Sequence, residues 1–321
     1  MKTVAGFFVG VGGIELGFEN KGFNVIWANE IDEKASITYK LNHDHNLVVG
    51  DINNIKSEDV PDVDILLAGF PCQAFSIAGH QKGFKDERGN VFFELARIIK
   101  DKKPPIIFLE NVRNLVSHDR GNTYKTIVGI LNEYGYHIKA EVMNASEYGN
   151  IPQNRERIYI VGFQNKKHYE NFSFPDKIPL TTTLNDLIEY DKIVDDRYYY
   201  TKEKYKFYEL LEKEMVKKNT LYQWRRVYVR ENKSNLCPTL TANMGTGGHN
   251  VPLILTPQGI RKLTPEETFK LQGFPINNEY RLPELFNNKP VADSHYYKQA
   301  GNAVSVSIIK LNAEKILEAL D

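Results

Sequence analysis

"TVAGFFVGVGGIELGFENKGFNVIWANE" occupies residues 3–30, and its reading decides the fold. A short apolar run, "TVAGFFV", meets a glycine turn at Gly10, Gly12 and Gly13. An amphipathic "IELGFENKG" follows, and then a second apolar run, "NVIWANE", that ends on Glu30. Apolar runs of this length read as buried strands, and the stretch between them reads as a helix. Glycines at a strand-to-helix junction let a ligand approach the backbone and leave the helix N-terminus open. The spacing is not G-x-G-x-x-G, because Glu15 stands at the third glycine position. That disfavours a dinucleotide. An acid at the end of the second strand takes ribose hydroxyls in Rossmann-like sheets, which is the role read for Glu30. Asp51 closes the third apolar run, "LVVGDI", where it can accept from an adenine amino group. These groups outline an adenosine pocket without a pyrophosphate, and S-adenosyl-L-methionine is the leading ligand. The alternative is that the glycines only turn the chain and the acids only cap helices.

Working outward, the alternation continues. "DILLAGF" and "PPIIFLENV" read as a fourth and a fifth strand, and "HIKAEVMNA" and "RIYIVGF" as two more. "DEKASITYKLNHD", "GNVFFELARIIKDKK" and "NTYKTIVGILNEYGY" read as helices between them. Strand–helix alternation of this kind means an α/β fold with a Rossmann-like doubly wound sheet, with ligands at the carboxyl ends of the strands. The pattern fades after about residue 165, and a polar, aromatic stretch runs to about 255. It reads as a smaller, mostly irregular or β domain. A helical period returns in "AVSVSIIKLNAEKILEAL". The expected division is 1–190 with 291–321 for catalysis and cofactor binding, and 191–290 for target recognition.

Lysine plus arginine equals aspartate plus glutamate, at 41 each. A nucleic-acid surface would therefore be a local patch. Two cysteines make no disulfide framework, so a reducing, cytoplasmic setting is expected. The N-terminus is a poor signal peptide, broken by glycines and by Glu15. No apolar run is long enough for a bilayer, so no membrane association is expected.

Cys72, in "LLAGFPCQAFS", follows a proline just past the fourth strand. A thiolate there is a candidate nucleophile. Glu110 ends the adjacent fifth strand. Arg155 and Arg157 enter the next one, and their spacing of two predicts a shared face. A thiol, a carboxyl group and two arginines suit addition to C6 of a cytosine. A protonated Glu110 would hydrogen-bond N3, and an arginine would donate to O2. C5 then becomes able to take a methyl group from a sulfonium. Each residue alone has a bland reading, as packing filler or a surface ion pair.

The blocks "FFVGVGG", "NEID", "GDI", "GFPCQAFS", "GFKDERGNVFFE", "ENV", "QNRERIYIVGF", "RKLTPEETFKLQGFP" and "YKQAGNAVSV" run in order from residue 7 to residue 306. In this the chain resembles the bacterial C5-cytosine DNA methyltransferases of restriction–modification systems. Its catalytic half is especially close to the family's GCGC-methylating Haemophilus enzyme. The resemblance implies that Cys72 is the nucleophile, Glu110 the acid at N3, Arg157 a contact to the flipped base and Arg155 an ordering residue. It implies that Phe8, Gly10, Gly12, Gly13, Glu30, Ile31, Asp51, Ile52, Pro71, Val91 and Asn302 surround the methyl donor, with S-adenosyl-L-homocysteine as product. Two positions depart from the family pattern. Ile31 stands where an aromatic usually covers adenine, and Gly6 stands where an aspartate is frequent.

The resemblance also implies base flipping, because a stacked duplex hides the ring face that the thiol attacks. Gln73, Ser76 and Gln81 lie in a glycine-bearing loop expected to close over double-stranded DNA. Arg225, Arg226 and Arg230 in "QWRRVYVR" are candidates for guanine or phosphate contacts. Thr239 and Leu240 match the family's threonine–aliphatic pair. A cognate restriction endonuclease sharing the site, a monomeric state and no metal are expected. A tRNA cytosine-5 methyltransferase, a non-catalytic DNA binder and an unrelated nucleotide-dependent thiol enzyme, the last disfavoured by the failed dinucleotide fingerprint, are the rival readings.

Overall fold

Five apolar segments become the parallel strands β1 (Thr3–Phe7), β2 (Asn24–Glu30), β3 (Asn46–Val49), β4 (Ile65–Gly69) and β5 (Ile106–Val112). With β6 (His137–Asn144) and β7 (Glu156–Phe163) they form one sheet in the order β3-β2-β1-β4-β5-β7-β6. Strand β7 runs antiparallel to β5. The sheet is thus dominated by parallel pairs, as the alternation required. The computed structural model describes residues 1–71, 91–246, 251–276 and 279–321.

Helices α1 (Gly13–Glu19), α2 (Glu33–Asn42), α3 (Val91–Lys102) and α4 (Asn122–Glu133) connect the strands. In α3, Phe92, Leu95, Ala96 and Ile99 fall on one helical face and are buried. They join Leu66, Ile107, Leu109, Ile158 and Ile160 of the strands in one core. Each large side chain buried there contributes about 1.5–3 kcal/mol. Three short helices follow, α5 (Ala145–Tyr148), α6 (Lys166–Asn171) and α7 (Leu184–Leu187).

The described chain divides into two compact units. The first comprises Met1–Met143, Glu156–Asp176 and Ile308–Asp321, and the second Asn144–Arg155 and Lys177–Ser307. The packing unit is therefore wider than the 191–290 region expected to read DNA. In the second unit, α8 (Tyr208–Glu214) precedes a four-stranded antiparallel sheet. Its strands are β8 (Tyr222–Trp224), β9 (Val229–Glu231), β10 (Leu253–Thr256) and β11 (Gly259–Lys262), in the order β11-β10-β8-β9. Leu211 and Met215 bury against Tyr222, Leu253 and Ile260, and Phe207 stacks on Trp224 at 4.3 Å. Helix α9 (Pro265–Lys270) opens on a Thr264–Glu267 capping box. Glu267 also holds the buried Arg261 at 2.8 Å. Helices α10 (Asp293–Asn302) and α11 (Val306–Leu320) complete the chain.

Candidate active site and cofactor turn

The turn after β1 holds Phe8, Gly10 and Gly12 at φ 56°, 56° and 83°. Left-handed backbone is free for glycine but strained for an aromatic residue, and such strain gathers at binding sites. A Cβ at Gly10 would meet nothing within 4 Å, so the turn is open on that side. Gly13 begins α1. The Gly10 N–H donates to Glu30 Oε2 at 2.7 Å, and the Asp32 N–H donates to Oε1 at 2.7 Å. The acid at the end of β2 is thereby fixed beside the turn, only 7% exposed. Burial raises its pKa above the usual carboxylate value, and the two backbone donors oppose that.

Ile31, next along, is 60% exposed, an apolar surface beside that carboxylate. Asp51 lies beyond the end of β3. It caps the turn Ile52–Asn54, and its Oδ1 accepts from the Asn53 N–H and Asn53 Nδ2. Ile52 belongs to the core, Val91 opens α3 half-buried, and Pro71 is exposed. Asn302, exposed at the end of α10, belongs to the second unit.

The departure at Gly6 has a structural counterpart. A Cβ there would lie 2.3 Å from Glu15 Oε1. The Glu15 carboxyl therefore fills the space that a side chain at position 6 would take. It is 1% exposed, its Oε2 has no partner, and burial pushes its pKa up to about 8. The unfolded chain releases this proton near the ordinary value of 4.5, whereas the folded chain holds it up to about 8. Stability therefore falls as pH rises through that window. Thermal unfolding of Glu15→Gln is expected to show a flatter pH profile and a higher midpoint at the alkaline end. Parallel profiles for the two proteins would contradict the assignment.

Glu110 lies within β5, paired with Gly69 of β4 on one side and Tyr159 of β7 on the other. Arg157 pairs with Val112, two residues further along, so it is the diagonal neighbour of Glu110 on the same face. Arg157 Nε lies 3.1 Å from Glu110 Oε1, with both side chains nearly buried. Glu110 Oε2 lies on the Gly69 side, 3.7 Å from where a Cβ would stand. Asn111 was not singled out by sequence reasoning, although it stands in the "ENV" block. It is 2% exposed, and its Nδ2 donates to the Phe70 carbonyl at 2.8 Å. It anchors the chain two residues before the candidate nucleophile. Cys72, Gln73, Ser76 and Gln81 lie outside the described residues.

The two arginines have different partners. Strand β7 begins at Glu156, so Arg155 lies outside it and the spacing-of-two argument does not reach it. Arg155 is 1% exposed and donates to the carbonyls of Leu240 (2.9 Å), Gly301 (3.1 Å) and Ala303. Gln153, fully buried, accepts from the Leu240 N–H at 3.2 Å. Two residues of the "QNRER" block therefore clamp the Leu240 backbone, N–H and carbonyl both. Thr239 Oγ1 adds a 2.6 Å bond to the Asn154 carbonyl.

Arg225, Arg230, Thr239 and Leu240, with Asn154 and Gln223, line one cavity of about 320 Å³. Its walls are mostly hydrogen-bonding groups. Arg226 does not line it, and stands at φ 64° in the tight turn between β8 and β9.

The fold agrees with comparison to known proteins. The family model for C-5 cytosine-specific DNA methylase matches residues 3–318, and the chain belongs to that family. It is a DNA cytosine-5 methyltransferase. The chain is 58% identical over 322 residues to the Type II methyltransferase M.Bsp6I of Bacillus sp. (strain RFL6), across 100% of both proteins. It is 37% identical over 325 residues to the Type II methyltransferase M.HhaI of Haemophilus parahaemolyticus, across 98% of this chain and 94% of that one. The crystal structure of S. pombe Dnmt2 methyltransferase shares the fold, with a TM-score of 0.76 at 18% identity over 100% of both chains.

Proposed function

We propose that this enzyme methylates C5 of a cytosine within a short, specific duplex DNA sequence, using S-adenosyl-L-methionine, base flipping and a covalent bond from Cys72 to C6. The observation that carries this reading is the Glu110–Arg157 pair, held on one face of β5 and β7 beside the end of β4. In the sequence Phe70, Pro71 and Cys72 come next after that strand. S-adenosyl-L-methionine supplies a methyl group on a sulfonium. The fixed Glu30 carboxylate suits its ribose hydroxyls, the open turn at Gly10 admits it, and exposed Ile31 offers an apolar face to adenine. Cys72 Sγ adds to C6. Glu110 donates a hydrogen bond to N3 and Arg157 to O2, so charge moving onto the ring is met by donors. With the methyl group on C5 and S-adenosyl-L-homocysteine released, the C5 proton would pass to water and Cys72 would leave as the thiolate, restoring the aromatic ring.

Arg225, Arg230, Thr239 and Leu240, gathered around one polar cavity, suit contact with base edges and phosphates. The similar methyltransferases are of Type II, and a cognate endonuclease with the same site is the natural counterpart here. No helix among the described residues is long and apolar enough to cross a membrane. A monomer in the cytoplasm is the proposed working form.

Duplex DNA bearing 5-fluorocytosine tests the covalent step, because fluorine at C5 does not leave as a proton. With the methyl donor present, the wild type is expected to give an adduct that survives denaturing electrophoresis. Cys72→Ser is expected to give none while still shifting DNA on a native gel. An adduct with Cys72→Ser, or none with the wild type, would remove the nucleophile. Labelling of tRNA but not of duplex DNA would overturn the substrate.

A further inference from the structure

Away from the reacting groups, the end of α1 and the end of α2 bring a carboxylate and two imidazoles together. Glu19 is the last residue of α1, and His43 caps the C-terminus of α2. Glu19 Oε2 lies 3.0 Å from His43 Nδ1, and Glu19 Oε1 lies 3.5 Å from His45 Nδ1. One ligand atom from each residue lies within 4.8 Å of the others. Bonds of about 2.0–2.1 Å to a tetrahedral ion place ligand atoms roughly 3.4 Å apart. Small side-chain adjustments therefore suffice.

The supporting contacts orient the rings. Tyr39 stacks on His43, with centroids 4.5 Å apart, and meets His45 edge-on at 5.3 Å. The Tyr39 hydroxyl pairs with His45 Nε2. With Nε2–H donating to that oxygen, the Nδ1 lone pair of His45 faces Glu19. Metal-binding histidines are commonly oriented through their second nitrogen in this way. The His43 and His45 side chains are 1% and 8% exposed, and Glu19 is 32% exposed. An ion can enter from the Glu19 side, where water can complete its shell.

We propose that Glu19, His43 and His45 bind one divalent transition-metal ion of the zinc, cobalt or nickel type. Two imidazoles with one carboxylate favour such ions over magnesium and calcium, which prefer all-oxygen shells. The ion joins α1 to the segment after α2. His43 Nε2 also presses on the glycine turn, since a Cβ at Gly12 would lie 2.1 Å from it. The ion therefore braces that turn from behind and takes no part in methyl transfer. The site does not depend on the proposed reaction.

Titration of the untagged, metal-free full chain with Co²⁺ reads the site directly. The expected result is one equivalent bound with visible ligand-field bands, displaced by Zn²⁺. Glu19→Gln changes a partly exposed side chain and His45→Gln a nearly buried one, and each is expected to weaken binding by more than about tenfold. Zn²⁺ is expected to raise the unfolding midpoint of the wild type but not of either variant. Absent bands, or bands equally strong in both variants, would overturn the proposal and leave Glu19 as a polar contact of the histidines.

Discussion

Glu110→Gln is expected to slow methyl transfer by about 10²- to 10⁴-fold, the usual contribution of a positioned acid or base. Glutamine keeps the size and shape of the side chain, and its amide oxygen can still accept from Arg157 Nε. Neighbours on β4 and β7 are undisturbed, so stability and DNA affinity should change little. In the proposed reaction, the lost property is a carboxyl proton to share with cytosine N3 as Cys72 adds to C6. Without it, negative charge builds on the ring unrelieved. Single-turnover rates on prebound duplex DNA, beside a native-gel measurement of binding, separate the two effects. A wild-type rate would remove Glu110 from the chemistry. A matching loss of binding would make it a contact and not an acid.

Arg155→Met is expected to destabilise the second unit by about 3 kcal/mol, with little direct effect on the Glu110–Arg157 pair. Methionine fills similar volume but leaves three carbonyls, those of Leu240, Gly301 and Ala303, without their charged donor. An unmet buried polar group costs about 1–3 kcal/mol. The guanidinium is 1% exposed, so water does not replace it readily. Because Leu240 is clamped by Arg155 and Gln153 together, its segment should loosen and DNA affinity should fall as well. Thermal unfolding and native-gel binding check the two parts. An unchanged unfolding midpoint would mean that these bonds contribute nothing net.

Much of this was legible from residue order alone. The β1–α1–β2 unit declares itself by apolar runs around glycines. Glu30 follows from its place at a strand end, and the chain indeed fixes it with the Gly10 and Asp32 N–H groups. Glu110 beside β4 follows from strand adjacency. The reversal of β7 was not legible, because a buried strand reads the same in either direction. Arg155 misled for a similar reason. Period two holds only inside a strand, and the strand starts one residue later. The role of Asn111 as an anchor for the Phe70 carbonyl depends on a contact from β5 to the residue after β4, which no local pattern encodes. The smaller domain was expected to be irregular or β, but the individual strands β8–β11, three or four residues each among polar and aromatic residues, were not legible.

The most direct test of the central claim is bisulfite sequencing of plasmid DNA from cells expressing the protein, with Cys72→Ser expressed in parallel. Protected cytosines should recur at one position of one short motif with the wild type and be absent with the variant. Soluble wild-type protein that leaves every cytosine convertible would contradict the account.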